Sequence, residues 1–407
     1  MKVALLHYSA PPVVGGVERV LADHARLMTA AGHQVSIIAG KGSTFDRRIR
    51  FISIPLLSSG HTTIVDMKVQ LDQGRVPSVF GSVVNRITTR LKPALESIDV
   101  LIAHNVCSLH KNLALTAALK EISRDPTSPK IVLWHHDLAW TSERYKGELH
   151  DGLPWGLLRT MWPGVKQVTV SKMRQVELAG LQKVPTVEIE VIPNGLDLSS
   201  FFKLSFQTRI LVDRFDLNVA APLLLLPVRI TQRKNIELAL QTISELRKSF
   251  STAKLIVTGP IGPHNPANHD YFEKLRRMQN DLELNRCAHF LADQLDGSVP
   301  DDVISDLYRL ADCLFLPSRE EGFGLPIIEA GAAGLPIFCS DIPTLRELAG
   351  QSGVFFSPSE DPKKIAALIA ANLTSNVIYQ NRVNVRQRYD WQAVYFRHIA
   401  PLLEQLK

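Results

Sequence analysis

Short apolar runs recur along the chain, separated by longer stretches in which apolar residues return every three or four positions. Runs bounded by Gly, Pro, Asn or Asp read as buried strands, and the longer periodic stretches read as helices. In the first half the runs fall at 2–7, 34–39, 100–103, 131–134, 167–170 and 187–192. Between the first two, Val17, Val20, Leu21, Ala25, Met28 and Ala31 keep a helical period, and Gly32 closes it. Strand, glycine loop, helix and strand in this order predict a right-handed crossover with parallel strands. Residues 56–95 are less regular, although Val76, Val79, Phe80, Val83, Val84, Ile87, Leu91 and Leu95 predict an amphipathic helix packed on the sheet.

Pro193, Asn194 and Gly195 interrupt the alternation, which places the first domain at residues 1–195. A second alternation has strands at 223–228, 254–258, 289–291, 313–316, 337–340 and 354–356, with helices such as 236–248, giving a second domain at 196–390. The amphipathic segment 391–407 is expected to pack back onto the first domain. The fold class is α/β: two doubly wound Rossmann-like domains, expected to face each other across a cleft at the carboxyl ends of their sheets.

Composition narrows the function classes. With 407 residues the chain can bury two cores, and 45% hydrophobic with 21% charged residues sets aside disordered and fibrous proteins. The balance of 46 Lys plus Arg against 40 Asp plus Glu, a net +6, is too modest for a nucleic-acid binder and fits a phosphate ligand or an anionic surface. Cys107, Cys287, Cys313 and Cys339 have no zinc or redox spacing and read as reduced. No N-terminal signal precedes the first strand and no apolar run is long enough to span a bilayer. The expectation is a cytoplasmic protein, with peripheral contact at the inner membrane face left open.

Candidate chemistry gathers in the loops after the strands. In SREEGFGLPIIEA, Gly322 and Gly324 let backbone approach a ligand, and Pro326 suits a helix start at about Leu325. The unpaired N–H groups of that helix favour an anion such as phosphate, with Glu321 and Glu329 at its flanks; two solvated glutamates around a helix start are the plainer alternative. Arg229 and Lys234, in VRITQRKN, put a forked and a point cation at a strand-to-helix turn, suited to a diphosphate, with Arg233 as a substitute. Gly15 and Gly16 form the corresponding loop of the first domain, and a plain turn explains them equally. His135, His136 and Asp137 follow a buried strand; alternation sends the two histidines to opposite sides, and His136 is favoured for the cleft. His104 and Asn105 end another strand and are weaker candidates. No aspartates lie two apart and the histidines lack ligand spacing, so no metal is expected.

Taken together, GGVER at Gly15, HHD at His135, IPNGLD at Ile192, the Arg229 and Lys234 pair, PSREEGFGLPIIEA at Pro317 and YDW at Tyr389 resemble the retaining glycosyltransferases of family 4, which have the two-domain GT-B fold. The resemblance implies transfer of a sugar from a nucleotide-diphosphate sugar, of GDP-mannose or UDP-glucose type, to a hydroxyl acceptor with retention and without metal or other cofactor. Arg229 and Lys234 would bind the donor diphosphate, and Glu329 the ribose. The backbone of Gly322, Phe323, Gly324 and Leu325 would cover sugar and phosphate. Glu321 and His136 would lie at the sugar, and Gly15 and Gly16 near the diphosphate or acceptor. The acceptor would be a carbohydrate, a lipid-linked sugar or a small polar molecule, and no nucleic acid is expected as partner. Asn235 stands where the family more often has glycine. A sugar-nucleotide epimerase of the same fold and a non-catalytic sugar-nucleotide-binding protein are the alternative readings.

Overall fold

A computed structural model describes residues 1–262, 265–293 and 298–407. The chain divides into two compact units, Met1–Gly195 with Trp391–Lys407, and Leu196–Asp390.

The first unit carries a parallel sheet of seven strands: β1 Lys2–Ser9, β2 Gln34–Lys41, β3 Arg50–Ser53, β4 Val100–His104, β5 Lys130–His135, β6 Lys166–Thr169 and β7 Ile189–Val191. They lie in the order β3-β2-β1-β4-β5-β6-β7. Val3 on β1 pairs with Val35 on β2 and with Val100 on β4, so β1 is central, and the order reverses between β1 and β4. Successive side chains of a strand point to opposite faces, and here both faces are covered. Val3 and Leu5 join a core with Leu21 and Met28 of the helix Gly16–Ala30 and with Trp391, Ile399 and Leu402. Ala4 and Leu6 join a second core beneath the helices Thr62–Leu71, Phe80–Leu95 and Leu113–Ile122.

The second unit has six parallel strands: β8 Leu223–Leu226, β9 Lys254–Val257, β10 Ala288–Phe290, β11 Cys313–Leu316, β12 Ile337–Ser340 and β13 Gly353–Phe356. Their order is β10-β9-β8-β11-β12-β13, which reverses between β8 and β11. Strands β8 and β11, LLLL and CLFL, are fully buried, as expected for a sheet covered on both faces.

Three readings of the sequence shift. The helix expected from Val76 runs only over Phe80–Leu95, and Val76 and Val79 are exposed. Val76 precedes Pro77, whose ring drives its predecessor out of the helical region. The strand expected at 187–192 is the short β7, preceded by a tight turn at Thr186–Glu188 that leaves Val187 in solvent. The irregular 56–95 stretch holds a further helix, Thr62–Leu71, whose core contacts are only Ile64, Met67 and Leu71. Among the described residues no helix is long and apolar enough to cross a membrane.

Candidate functional site

In each unit the candidate residues occupy loops at the carboxyl ends of strands beside the point where strand order reverses, where open α/β sheets bind ligands. In the second unit these loops follow β8 and β11.

After β8 the chain passes Arg229, turns through Gln232–Lys234, and enters the helix Ile236–Leu246. Asn235 makes the join in a left-handed conformation, φ 54° and ψ 44°. Asparagine tolerates that region better than other side-chain-bearing residues, so the position where the family more often has glycine keeps its backbone shape. The buried Asn235 amide also donates to the carbonyls of Pro317 (3.1 Å) and Pro358 (2.9 Å), which ties this turn to the loop after β11. The Arg319 N–H adds a bond to the Arg233 carbonyl at 2.8 Å.

This stitching brings Lys234 and Glu321 together. The Lys234 ammonium donates to both Glu321 carboxylate oxygens at 2.6 Å, with side chains only 9% and 6% exposed. The Ser318 hydroxyl donates to the same carboxylate at 2.7 Å, and Arg233 stands 3.7 Å away. Burial lowers the Lys234 proton affinity from the ordinary lysine value, and Glu321 opposes that shift. An ammonium has three donors, so one is left for a ligand after Glu321 takes two. Arg229 is exposed and has no ion pair among the described residues.

Beyond Glu321 the loop reaches Gly324, whose φ of +98° lies in the region that favours glycine, and the helix Leu325–Ala332 starts with Pro326 in its first turn. Phe323 and Leu325, 54% and 60% exposed, stand at the helix mouth. Glu329 does not share Glu321's partners. Its carboxylate accepts a 2.6 Å bond from the Tyr308 hydroxyl, and burial together with that carboxylate pushes the phenol pKa up. Tyr308 and Ser318 were not singled out in the sequence. Tyr308 lies on the core side of the helix Asp301–Leu310, where an aromatic residue gives no chemical signal.

In the first unit, Gly15 caps the helix Gly16–Ala30 with extended backbone. A side chain at Gly15 would run into the Glu18 carboxylate, its Cβ falling 2.1 Å from Oε2, whereas Gly16 faces open space. Glu18 is held by the Ser9 hydroxyl at 2.5 Å and lies 3.8 Å from His7 Nε2. That helix start is therefore already met by a carboxylate of its own.

After β4 and β5 lies a buried histidine group. His135 turns to Gln167 (2.7 Å), while His136 Nε2 meets His104 Nδ1 at 3.2 Å. The two adjacent histidines thus have different partners. His7 Nδ1 meets the His104 carbonyl at 2.8 Å. Asn105, with φ 59°, shapes the HHD turn: its side-chain oxygen accepts the N–H groups of His136 (2.9 Å) and Asp137 (3.0 Å). Its amide donates to the Asp137 carboxylate at 3.2 Å. Desolvation depresses these histidines, His136 to about 3 and His135 to about 4, so both are neutral at physiological pH. His24 is pulled down to about 3, fully buried against Trp134 and Trp391.

The aromatic stretch after HHD folds onto the core of its own unit through Ala139, Trp155 and Leu158. Asp72, His110 and Glu148 place their donor atoms within 4.8 Å of one another. The Lys68 ammonium bonds Asp72 at 2.6 Å and Glu148 at 2.8 Å and already supplies the positive charge there.

Each unit is doubly wound and carries its own strand-end loops, one set with cations and carboxylates around a helix start and the other with neutral histidines, and known sugar-transfer enzymes match both units. Residues 14–200 match the family model described as Glycosyltransferase Family 4, and residues 211–389 match that of Glycosyl transferases group 1. The chain belongs to the family-4 glycosyltransferases and has their two-domain GT-B fold. It is similar to a mannosylglucosylglycerate synthase of Petrotoga mobilis, 26% identical over 269 residues that cover 61% of each chain. It is also similar to a glycogen synthase of Mycobacterium tuberculosis, 26% identical over 97% of this chain and 92% of that one. A solved sucrose-phosphate synthase from Thermosynechococcus elongatus is 16% identical over 100% of this chain and 98% of that one, with a TM-score of 0.39. The fold assignment rests on the two sheets and not on that last likeness.

Proposed function

We propose that this glycosyltransferase moves a hexose from a nucleotide-diphosphate sugar to an acceptor hydroxyl, with retention of anomeric configuration and without a metal ion. The observation that carries this reading is the buried Lys234–Glu321 pair, in the loop that leads to the Leu325–Ala332 helix start, with the exposed cation of Arg229 on the turn that carries Lys234, without an ion pair among the described residues. Arg229 grips diphosphate oxygens in a fork and the third Lys234 N–H supplies a further donor, so charge on the leaving diphosphate is met by side chains. The bond from the sugar C1 to the diphosphate oxygen breaks, and the acceptor oxygen bonds to C1 on the same face. The acceptor proton passes to the leaving phosphate oxygen. Glu329, braced by Tyr308, binds ribose hydroxyls, and Glu321 and His136 lie at the sugar. Gly322 to Leu325 cover sugar and phosphate, and Gly15 and Gly16 approach the diphosphate or acceptor. The names of the relatives, one a mannosyl product and one glycogen, favour a donor of GDP-mannose or UDP-glucose type. The acceptor is a carbohydrate, lipid-linked or small polar hydroxyl compound.

Turnover of a panel of nucleotide sugars, with and without acceptors, tests the reading. Arg229→Ala is expected to lower kcat/KM by about 10²-fold, the loss typical of removing one transition-state charge partner. Turnover at the wild-type level in that variant overturns the assignment.

A further inference from the structure

The second sheet has a second end. Strands β9 and β10 begin at Lys254 and Ala288, opposite the carboxyl ends that carry the loops after β8 and β11. A cavity of about 710 Å³ opens beside them, a volume in the range of small-molecule sites.

Its charge is unbalanced. Lys254, 8% exposed, donates to the Phe215 carbonyl and has no carboxylate ion pair among the described residues. An ammonium carries three donors, and burying one without an anion is costly. His289, 9% exposed, stacks on Phe215 with ring centroids 4.1 Å apart, and its Nε2 is buried without a hydrogen-bond partner among the described residues. Arg214, Arg247 and Arg286 line the same cavity, and Arg247 donates to the Ala253 carbonyl at 2.8 Å. Arg276 is already matched by Asp293 at 2.7 Å, which leaves Asp216 as the carboxylate facing these cations. Both buried groups, on different strands, lack the partner that an oxyanion with several acceptor oxygens supplies.

We propose that this cavity is a binding site for a small phosphorylated metabolite, its phosphate held by Lys254, His289 and Arg286, separate from the donor loops.

Calorimetric titration of the full chain with inorganic phosphate in a phosphate-free buffer tests this. Saturable binding is expected in the wild type and in Arg229→Ala, and a Kd at least tenfold weaker in Arg286→Ala and Lys254→Met. Should Lys254→Met fail to fold, the exposed Arg286→Ala and Arg214→Ala decide. Basal sugar-nucleotide turnover in Arg286→Ala is expected at the wild-type level, which separates this site from the transfer reaction. The proposal is overturned by an absence of saturable binding in the wild type. Unchanged affinity in both arginine variants, or binding abolished by Arg229→Ala, overturns it equally.

Discussion

Asn235 couples two jobs that are usually divided between residues: it holds a left-handed turn and bonds two carbonyls of the neighbouring loop. Glycine would relax the turn and lose the bonds, while alanine would lose the bonds and keep the strain of about 1–2 kcal/mol. Urea midpoints are therefore expected in the order wild type, Asn235→Gly, Asn235→Ala, and an alanine variant more stable than the glycine variant contradicts this account. The histidines give a second handle. His24 has a folded-state pKa of about 3 against an ordinary 6.5, so the unfolded chain binds the proton more readily. Its contribution is fully present above 6.5 and is lost as pH falls from there towards 3, about 2 kcal/mol between pH 7 and pH 5 for such a group. The melting temperature should fall over that interval, and His24→Phe should fall less steeply; parallel curves exclude His24 as a source. At this scale the sequence pointed to candidate residues for the chemistry, but not to their pairing. Lys234 and Glu321 were read as separate groups, because the two members of their ion pair stand 87 positions apart along the chain. Asn105 was read as a weak candidate because nothing in its neighbours along the chain reveals two N–H groups 31 and 32 positions away.

The strands were legible because they are buried on both faces and read as unbroken apolar runs, as in LLLL at β8. Edge strand β3, RFIS, is half exposed and carries no such run, and it was missed. The helix start at Leu325 was legible from Gly324 and Pro326, whose backbone requirements are local. Gly324 also makes a strong demand. At φ +98° an added Cβ would lie 2.9 Å from Leu345 Cδ2, within reach of the helix Pro343–Ala349. Gly324→Ala is expected to lower the melting temperature by several degrees, about 1–2 kcal/mol, through conformational strain. A melting curve superimposable on that of the wild type would show that the helix start tolerates a side chain.

The chain leaves its first unit at Gly195 and returns at Trp391. The return is tightly fitted: the Trp391 indole donates to Asp23 at 2.9 Å, and its ring packs where a Gly195 side chain would stand. Removal of 391–407 takes Trp391, Val394, Tyr395, Ile399, Leu402 and Leu403 out of the core against Leu21 and Met28. The truncated chain is expected to lose cooperative melting of the first unit and bind a hydrophobic dye, whereas residues 196–390 retain their own transition. Dye binding equal to that of the full chain would refute this. The amphipathic period of 391–406 was readable, but the surface it covers was not, since Leu21 and Met28 lie more than 360 positions earlier.

That return also sets an order of events during synthesis. Part of one face of the first sheet, beside the helix Gly16–Ala30, stays uncovered until Trp391 and the residues after it leave the ribosome, and the 195 residues of the second unit come first. At 5–20 residues per second this is a delay of roughly ten to forty seconds. Throughout it the nascent first unit presents an apolar face, a window for chaperone capture that closes only when the second unit has been made.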